Sequence, residues 1–414
     1  MTQTLKDVCE FIVDCEHKTA PTQAEGYPSI RTPNIGKGRL ILEGVNRVSE
    51  DVYKAWTKRA TPRAGDLILA REAPVGNVAM IPKGLQVCLG QRTVLIRADQ
   101  SKIDRGYLLY LLLGDKIQGR IASISNGATV HHLNVKDIHN LRIPELPSPE
   151  TQCKMASILS AYDDLVENNT RRIAILEEMA QSLYREWFVH FRFPGHEDVA
   201  IVESPLGPIP EGWEVKSVSE AVSINPQTKV PREGLKPFVP MSSLSTNSMC
   251  ISNIETRTGN SGAKFANGDT LLARITPCLE NGKTGYVQFL PSRDDVATGS
   301  TEFIVLRSRT LCPEYVYLLA RSNELRDTAI KSMTGATGRQ RVQDGCFDKF
   351  LLAQPDLRTL GAFAEHTTPM FQNIDLLARK NDNLRCTRDL LLPRLLASNL
   401  NVTSLECEEE AVVP

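Results

Sequence analysis

The chain has 414 residues, 41% of them hydrophobic, and a formal net charge of −1; it is too long for a single core and predicts two to four globular units. No stretch of 18 residues is continuously apolar and the opening MTQTLKDVCEFIVDCEHKT is broken by acids, so neither a membrane span nor a secretory signal is expected and the chain reads as cytoplasmic. Its ten cysteines stand singly with no CxxC pair, which argues against a zinc site or a disulfide framework and for small buried hydrophobes.

Residues 1–147 have β character, with short runs such as GDLILAR (65–71), NVAMIP (77–82) and TVLIRA (93–98) between Gly, Pro and Asn turns. Residues 148–190 then read as one long helix. Ser148-Pro149-Glu150 is its start signal: a capping oxygen, a proline at the first helical position and an acid at the positive dipole end. Ile158, Tyr162, Leu165, Asn169, Arg172, Leu176, Met179 and Leu183 follow spacings of three and four, the seam of a coiled coil. A Pro- and Gly-rich linker, 191–209, leads to a second β-rich portion, 210–355. Residues 356–398 form a second long helix, with Phe363, Met370, Ile374, Leu377, Asn381, Leu384, Leu391 and Leu395 on the same beat. Each helix spans roughly 60 Å at about 1.5 Å per residue, and such lengths need a partner. Residues 399–414 carry four acids and no base, an acidic tail expected to be disordered.

The two β-rich portions are related. AGDLILAR (64–71) matches NGDTLLAR (267–274) at an offset of 203, and YLLYLLL (107–113) and SNGATV (125–130) match YVYLLAR (315–321) and MTGATG (333–338) at 208. The offset of 208 continues into the helices, pairing Leu176 with Leu384 and Leu183 with Leu391. This internal duplication predicts an α+β fold: two pseudo-symmetric, mostly β domains separated by an antiparallel two-helix coiled coil, a dumbbell.

Signatures of chemistry are missing. ENGKTG (280–285) shows the GKT of a phosphate loop, but Pro277 stands where the loop needs glycine. His131 and His132 are adjacent and cannot face one metal from a regular element, and no HExxH, GxGxxG or GxSxG occurs. Asn225-Pro226 continues with Gln227-Thr228, so the NPPY tetrad of an adenine methyltransferase is absent. The chain therefore reads as non-catalytic, with no metal and no cofactor of its own.

Binding signals remain. Lys and Arg exceed Asp and Glu by 20 to 15 in residues 1–149 and by 18 to 16 in 210–360, whereas 150–200 carry 5 against 9, so positive charge sits on the β-rich portions and suits DNA. In the first, Arg31, Thr32, Asn34, Lys37 and Arg39 share one turn-rich segment, followed by Arg71, Gln91, Arg92, Asn126, Thr129 and His131. In the second, the matching surface includes Arg274, Ser300, Thr301, Thr337, Arg339, Gln340 and Arg341. Lys and Arg contact phosphates, while Asn, Gln and Arg read base edges. Residues that recur in both halves are scaffold candidates; those that differ are specificity candidates. The aromatic end of the first helix, Tyr184, Trp187 and Phe188, is heavier than a two-helix seam can bury and is expected to pack on a β-rich domain or a partner subunit.

IPEGWE (209–214), the GDLILAR and GDTLLAR pair, the GAT segments, ILSAYDDLVENNTRRIAILEEMAQSLYREWF and the final LLLPRLL (390–396) resemble the specificity subunits of type I restriction-modification systems over nearly the whole chain. The first portion lacks the PxGW that opens the second. The resemblance implies two target recognition domains, each reading half of a bipartite site in double-stranded DNA. It implies two docked methyltransferase (modification) subunits that bind S-adenosylmethionine, and restriction/translocase subunits that join them. Alternatives are the specificity partner of a fused restriction-methylation enzyme, or a coiled-coil scaffold that binds proteins alone.

Overall fold

The structure, a computed structural model, describes residues 3–125, 132–292, 294–336 and 338–397. The chain divides into two compact units, residues 1–166 with 383–414 and residues 167–382. In the first unit the strands are β1 (Cys9–Asp14), β2 (Tyr27–Ile30), β3 (Gly38–Arg39), β4 (Arg47–Val48), β5 (Leu67–Ala70), β6 (Val78–Met80), β7 (Cys88–Leu89) and β8 (Thr93–Ala98). Its helices are α1 (Glu50–Trp56), α2 (Arg105–Leu113), α3 (Asp115–Ile124), α4 (Val135–His139) and the start of α5 (Pro149–Tyr184). Downstream come β9 (Ile201–Ser204), β10 (Gly207–Pro210), β11 (Glu214–Ser217), α6 (Val218–Ala221), β12 (Val222–Ile224), β13 (Lys236–Val239), β14 (Glu255–Arg257), β15 (Ala263–Ala266) and β16 (Thr270–Ala273). The second unit continues through β17 (Thr284–Tyr286), β18 (Val296–Gly299), β19 (Phe303–Ser308), α7 (Pro313–Arg321), α8 (Asn323–Lys331), α9 (Cys346–Lys349), β20 (Leu351–Gln354) and α10 (Leu357–Leu396).

One strand order is built twice. The sheet β1-β8-β5-β6-β3 of the first unit contains the run β1-β8-β5-β6, and the second unit has β12-β19-β16-β17. The smaller sheet β4-β2-β7 recurs as β14-β13-β18, to which the second unit adds β15. The pairing senses agree as well: β2 runs parallel to β7 and β13 parallel to β18, while the β5–β8 and β16–β19 ladders are antiparallel. Side chains alternate across a strand, so each central strand serves two cores. Leu67 and Leu69 enter a core shared with α2, α3 and the start of α5, while Ile68 and Ala70 face a second core between the sheets. Leu272 and Leu271 divide in the same way. Both faces are covered, which is why LILA and TLLA are buried at every position.

The long helices span 36 residues in α5 and 40 in α10. The first ends in a single π-helical turn at Arg185–Val189. Within the first unit the start of α5 lies against the end of α10, and Arg388 pairs with Asp163. Within the second unit the end of α5 lies against the start of α10, and Asn169 Nδ2 donates to Asn381 Oδ1 at 3.0 Å. Within the second unit, where Trp187 meets Phe363 and Asn169 meets Asn381, the two helix segments run antiparallel. The α10 seam is buried at Phe363, Ile374, Leu377, Asn381 and Leu395.

The α5 seam expected from the sequence is one residue out of register over most of its length. Leu165 and Met179 are 50% and 49% exposed, and the buried positions are Leu159, Asp163, Asn169, Ile173, Glu177, Ala180 and Tyr184. The physical reason is that two carboxylates occupy the inward stripe. Tyr110 Oη donates to Asp163 at 2.7 Å, and the Ser248 hydroxyl and the Met249 amide donate to Glu177 Oε1 at 2.8 and 2.7 Å. A pattern search that assigns charge to the outside slips past them.

Burial pushes the Glu177 carboxyl above its usual range, against the pull of those two donors and of Arg321. A folded pKa above the unfolded one means that the group's contribution is complete below the ordinary carboxylate range and is lost as pH rises through the folded value. Glu177→Gln keeps an acceptor for Ser248 and Met249 without burying a charge. The variant is expected to lose less thermal stability than the parent as pH rises above the ordinary carboxylate range; equal losses in both would show that Glu177 does not titrate with folding.

Candidate nucleic-acid interface

The repeated GD-hairpin is the frame on which the surface is mounted. Gly65 and Gly268 turn the chain with φ of +88° and +89°, a region that strains any side chain. The next residue is a buried aspartate in both units. Asp66 accepts from the Arg63 amide at 2.8 Å and from two nitrogens of Arg97 on β8, each at 2.8 Å. Asp269 accepts from the Ala266 amide at 2.8 Å and from Arg307 on β19 at 2.7 and 2.6 Å. The bonds to Asp66 and Asp269 hold both guanidiniums above their ordinary pKa. This pair recurs because it ties the turn to the neighbouring strand.

In the first unit much of the candidate surface is committed to the protein itself. Arg71 is 7% exposed; its Nη1 meets both Asp14 carboxylate oxygens at 2.9 Å, its Nε donates to Leu133 O at 2.8 Å, and its Nη2 lies 2.9 Å from His132 Nε2. The expectation that Arg71 contacts DNA is corrected: burial and a full set of partners make it a structural bolt. His132 Nδ1 in turn meets Glu72, which also pairs with Arg92 at 2.9 Å. Asn34 closes its own loop through the Arg31 amide and Ile41 O, and Gln91 donates to His17 O. Arg39 is ion-paired with Asp164 on α5. Thr32 is half-buried, while Arg31 and Lys37 are exposed and have no carboxylate partner among the described residues. Asn126, Thr129 and His131 lie outside the described residues.

In the second unit Arg341 pairs with both Glu302 oxygens, and the Ser300 hydroxyl accepts from the Glu302 amide. Gln340 offers its carbonyl to Thr276, Arg339 is exposed, and Thr337 lies outside the described residues. Arg274 and Thr301 line a cleft of about 760 Å³ together with Asn225, Gln227, Lys229 and Lys264. The Arg274 Nε is buried with no acceptor among the described residues, and its Nη2 reaches only Val342 O, at 3.3 Å.

Tyr184, Trp187 and Phe188 are 7%, 4% and 7% exposed, so of the two expected packings the one on a β-rich domain is the one found, and their candidacy as a partner-binding surface is corrected. They are consumed by the second unit's own core: Phe188 lies 4.6 Å from Tyr315 and 4.7 Å from Phe363, and Trp187 5.7 Å from Phe363, between ring centroids. GKT is structural too, since Lys283 Nζ donates to Met241 O at 3.0 Å. Cys9, Cys15, Cys88 and Cys346 are buried, as expected of small hydrophobes, but Cys153 and Cys386 are exposed. No helix among the described residues is long and apolar enough to cross a membrane.

Residues 1–178 match the family described as the type I restriction modification DNA specificity domain. The chain is 26% identical over 376 residues, 88% of its length and 84% of the relative's, to the MjaIX specificity subunit of a type I restriction enzyme from Methanocaldococcus jannaschii. The chain is thus similar over most of its length to type I specificity subunits, and its first 178 residues carry their DNA specificity domain. It is also 33% identical over 166 residues to the EcoEI specificity subunit of Escherichia coli, 38% of this chain and 28% of that one. The crystal structure of the type I restriction-modification S subunit from M. genitalium shares the fold, with a TM-score of 0.57 at 14% identity and 95% of both chains covered. Gln227, Lys229 and Lys264 also line the Arg274 cleft, and sequence reasoning did not single them out. Gln227 and Lys229 belong to the polar run PQTK just after β12, which from sequence alone reads only as a broken methyltransferase tetrad, and Lys264 lies on β15 with no local signal of its own.

Proposed function

We propose that the chain is a non-catalytic DNA-specificity subunit that reads a bipartite, asymmetric site, one target recognition domain to each half. The carrying observation is the repeated strand order with unlike loops: a shared frame holds Asp66–Arg97 and Asp269–Arg307, while the polar side chains around it differ between the units. Pseudo-symmetric frames with different loops read half-sites of different sequence. On this reading the antiparallel helices act as a coiled-coil spacer, and half-sites about one helical turn apart, roughly 34 Å, present the same face of the duplex. Two methyltransferase subunits that bind S-adenosylmethionine, joined by restriction and translocase subunits, dock on this chain and supply the chemistry; it needs no cofactor of its own. Each wrong base pair is expected to cost about 1 to 3 kcal/mol of binding.

The test is to exchange residues 1–147 for those of a related subunit and map methylated adenines in the host genome. One half of the methylated motif is expected to change while the other half stays. A change in both halves, or in neither, defeats the assignment of one half-site to each domain.

A further inference from the structure

The strand registers allow the two recognition domains to be superposed residue by residue. Leu67 pairs with Ile96 and Thr270 with Leu306, so Arg71 and Arg274 occupy one position of the frame. Ile12 pairs with Ile96 and Ile224 with Leu306, so Asp14 and Pro226 occupy another. Asp14 is the carboxylate that locks Arg71. In the second domain that carboxylate is replaced by proline, and Arg274 makes no ion pair, the carboxylate that acts on it from a distance being Glu302, which is bonded to Arg341.

The neighbouring positions change in the same sense. Arg92, which is tied to Glu72, corresponds to Glu302, which is tied to Arg341. His17 reaches Asp14 at 3.1 Å, whereas Lys229, at the equivalent place in the second domain, has no carboxylate partner among the described residues. Lys264, on β15, has none either. The first domain thus neutralises its own charge at this face. The second presents Lys229, Lys264 and Arg274 around an open cleft whose other polar walls are Asn225, Gln227, Thr228 and Thr301. Asn225 is spent on the Val305 amide and on Asp344.

Resting on the proposed reading of duplex DNA, the geometry points to this cleft as the place where the second domain grips the sugar-phosphate backbone. Lys229, Lys264 and Arg274 take phosphates, and Gln227 and Thr301 lie beside them within reach of base edges. A guanidinium that no ion pair holds is open to a charge-assisted bond with a phosphate oxygen. The same frame position is a structural bolt in the first domain and grips DNA in the second. The two halves therefore differ in how strongly salt weakens them.

The test uses the full chain assembled with its methyltransferase partners, and duplexes with and without the host's methylated motif. Removing one cation from a phosphate is expected to flatten the slope of log affinity against log salt by about 0.9. Lys229→Gln with Lys264→Gln removes about two such units, and Arg274→Gln about one more, on both duplexes alike. Pro226→Asp supplies the carboxylate of the first domain and is expected to remove about one unit with Arg274 still in place, which guards against misfolding of the arginine variant. If the parent assembly prefers its motif but the slopes of the lysine pair and of Pro226→Asp equal the parent's, the cleft is not the grip and the proposed function stands. If the parent assembly shows no preference for the motif, the proposed function fails, and the slopes on either duplex still decide for or against the cleft.

Discussion

Asp66→Ala is expected to destabilise the first unit by about 3 to 5 kcal/mol, the usual result of removing one partner from a buried charge pair. The Asp66 side chain is 4% exposed and that of Arg97 18%, so the guanidinium left behind would be mostly buried with no carboxylate. The Arg63 amide, which donates to Asp66, would lose its acceptor in the turn. Asp269→Ala is expected to cost less, because the Arg307 side chain is 34% exposed and regains water. The control is the double variant Asp66→Ala with Arg97→Met, in which no charge is stranded and most of the loss returns. Chemical denaturation of the four proteins measures all of this. A loss under about 1 kcal/mol for Asp66→Ala, or no recovery in the double variant, would mean that the recurring GD motif is not held by the ion pair.

That ion pair also marks what could be seen in advance. GDLILAR and GDTLLAR were legible as a duplication because buried central strands and an obligatory glycine turn tolerate few residues, and the duplicated strand order follows from them. The length of the helices, the α10 seam and the polar Asn169 and Asn381 were legible for a similar reason: periodicity survives wherever burial is apolar. The α5 seam is hidden where burial is not apolar, at Asp163 and Glu177, whose partners Tyr110, Arg388 and Ser248 lie 53, 225 and 71 residues away. The site was less legible still. Nothing local separates Arg71 from Arg274, since each ends the same motif; what separates them is Asp14 against Pro226, one strand over. The cleft residues Gln227, Lys229 and Lys264 come from two segments that only the fold brings together.

The helix pair supports the prediction with the largest functional effect. Four residues inserted into α5 beside Asn169 and four into α10 beside Asn381 add about 6 Å to each helix at about 1.5 Å per residue. If these helices are the spacer, the gap between half-sites should grow by about two base pairs, since bases stack at about 3.4 Å, while both half-site sequences persist. Both helices must change together. An insertion in α5 alone displaces Asn169 from Asn381, which are buried and bonded to each other at 3.0 Å, and strands two buried amides at a cost of about 1 to 3 kcal/mol each. The single insertion is therefore expected to abolish methylation, and the paired one to move the methylated adenines apart. Sequencing of methylated genomic DNA reads both outcomes, and an unchanged gap in the paired variant would remove the helices from the role of spacer.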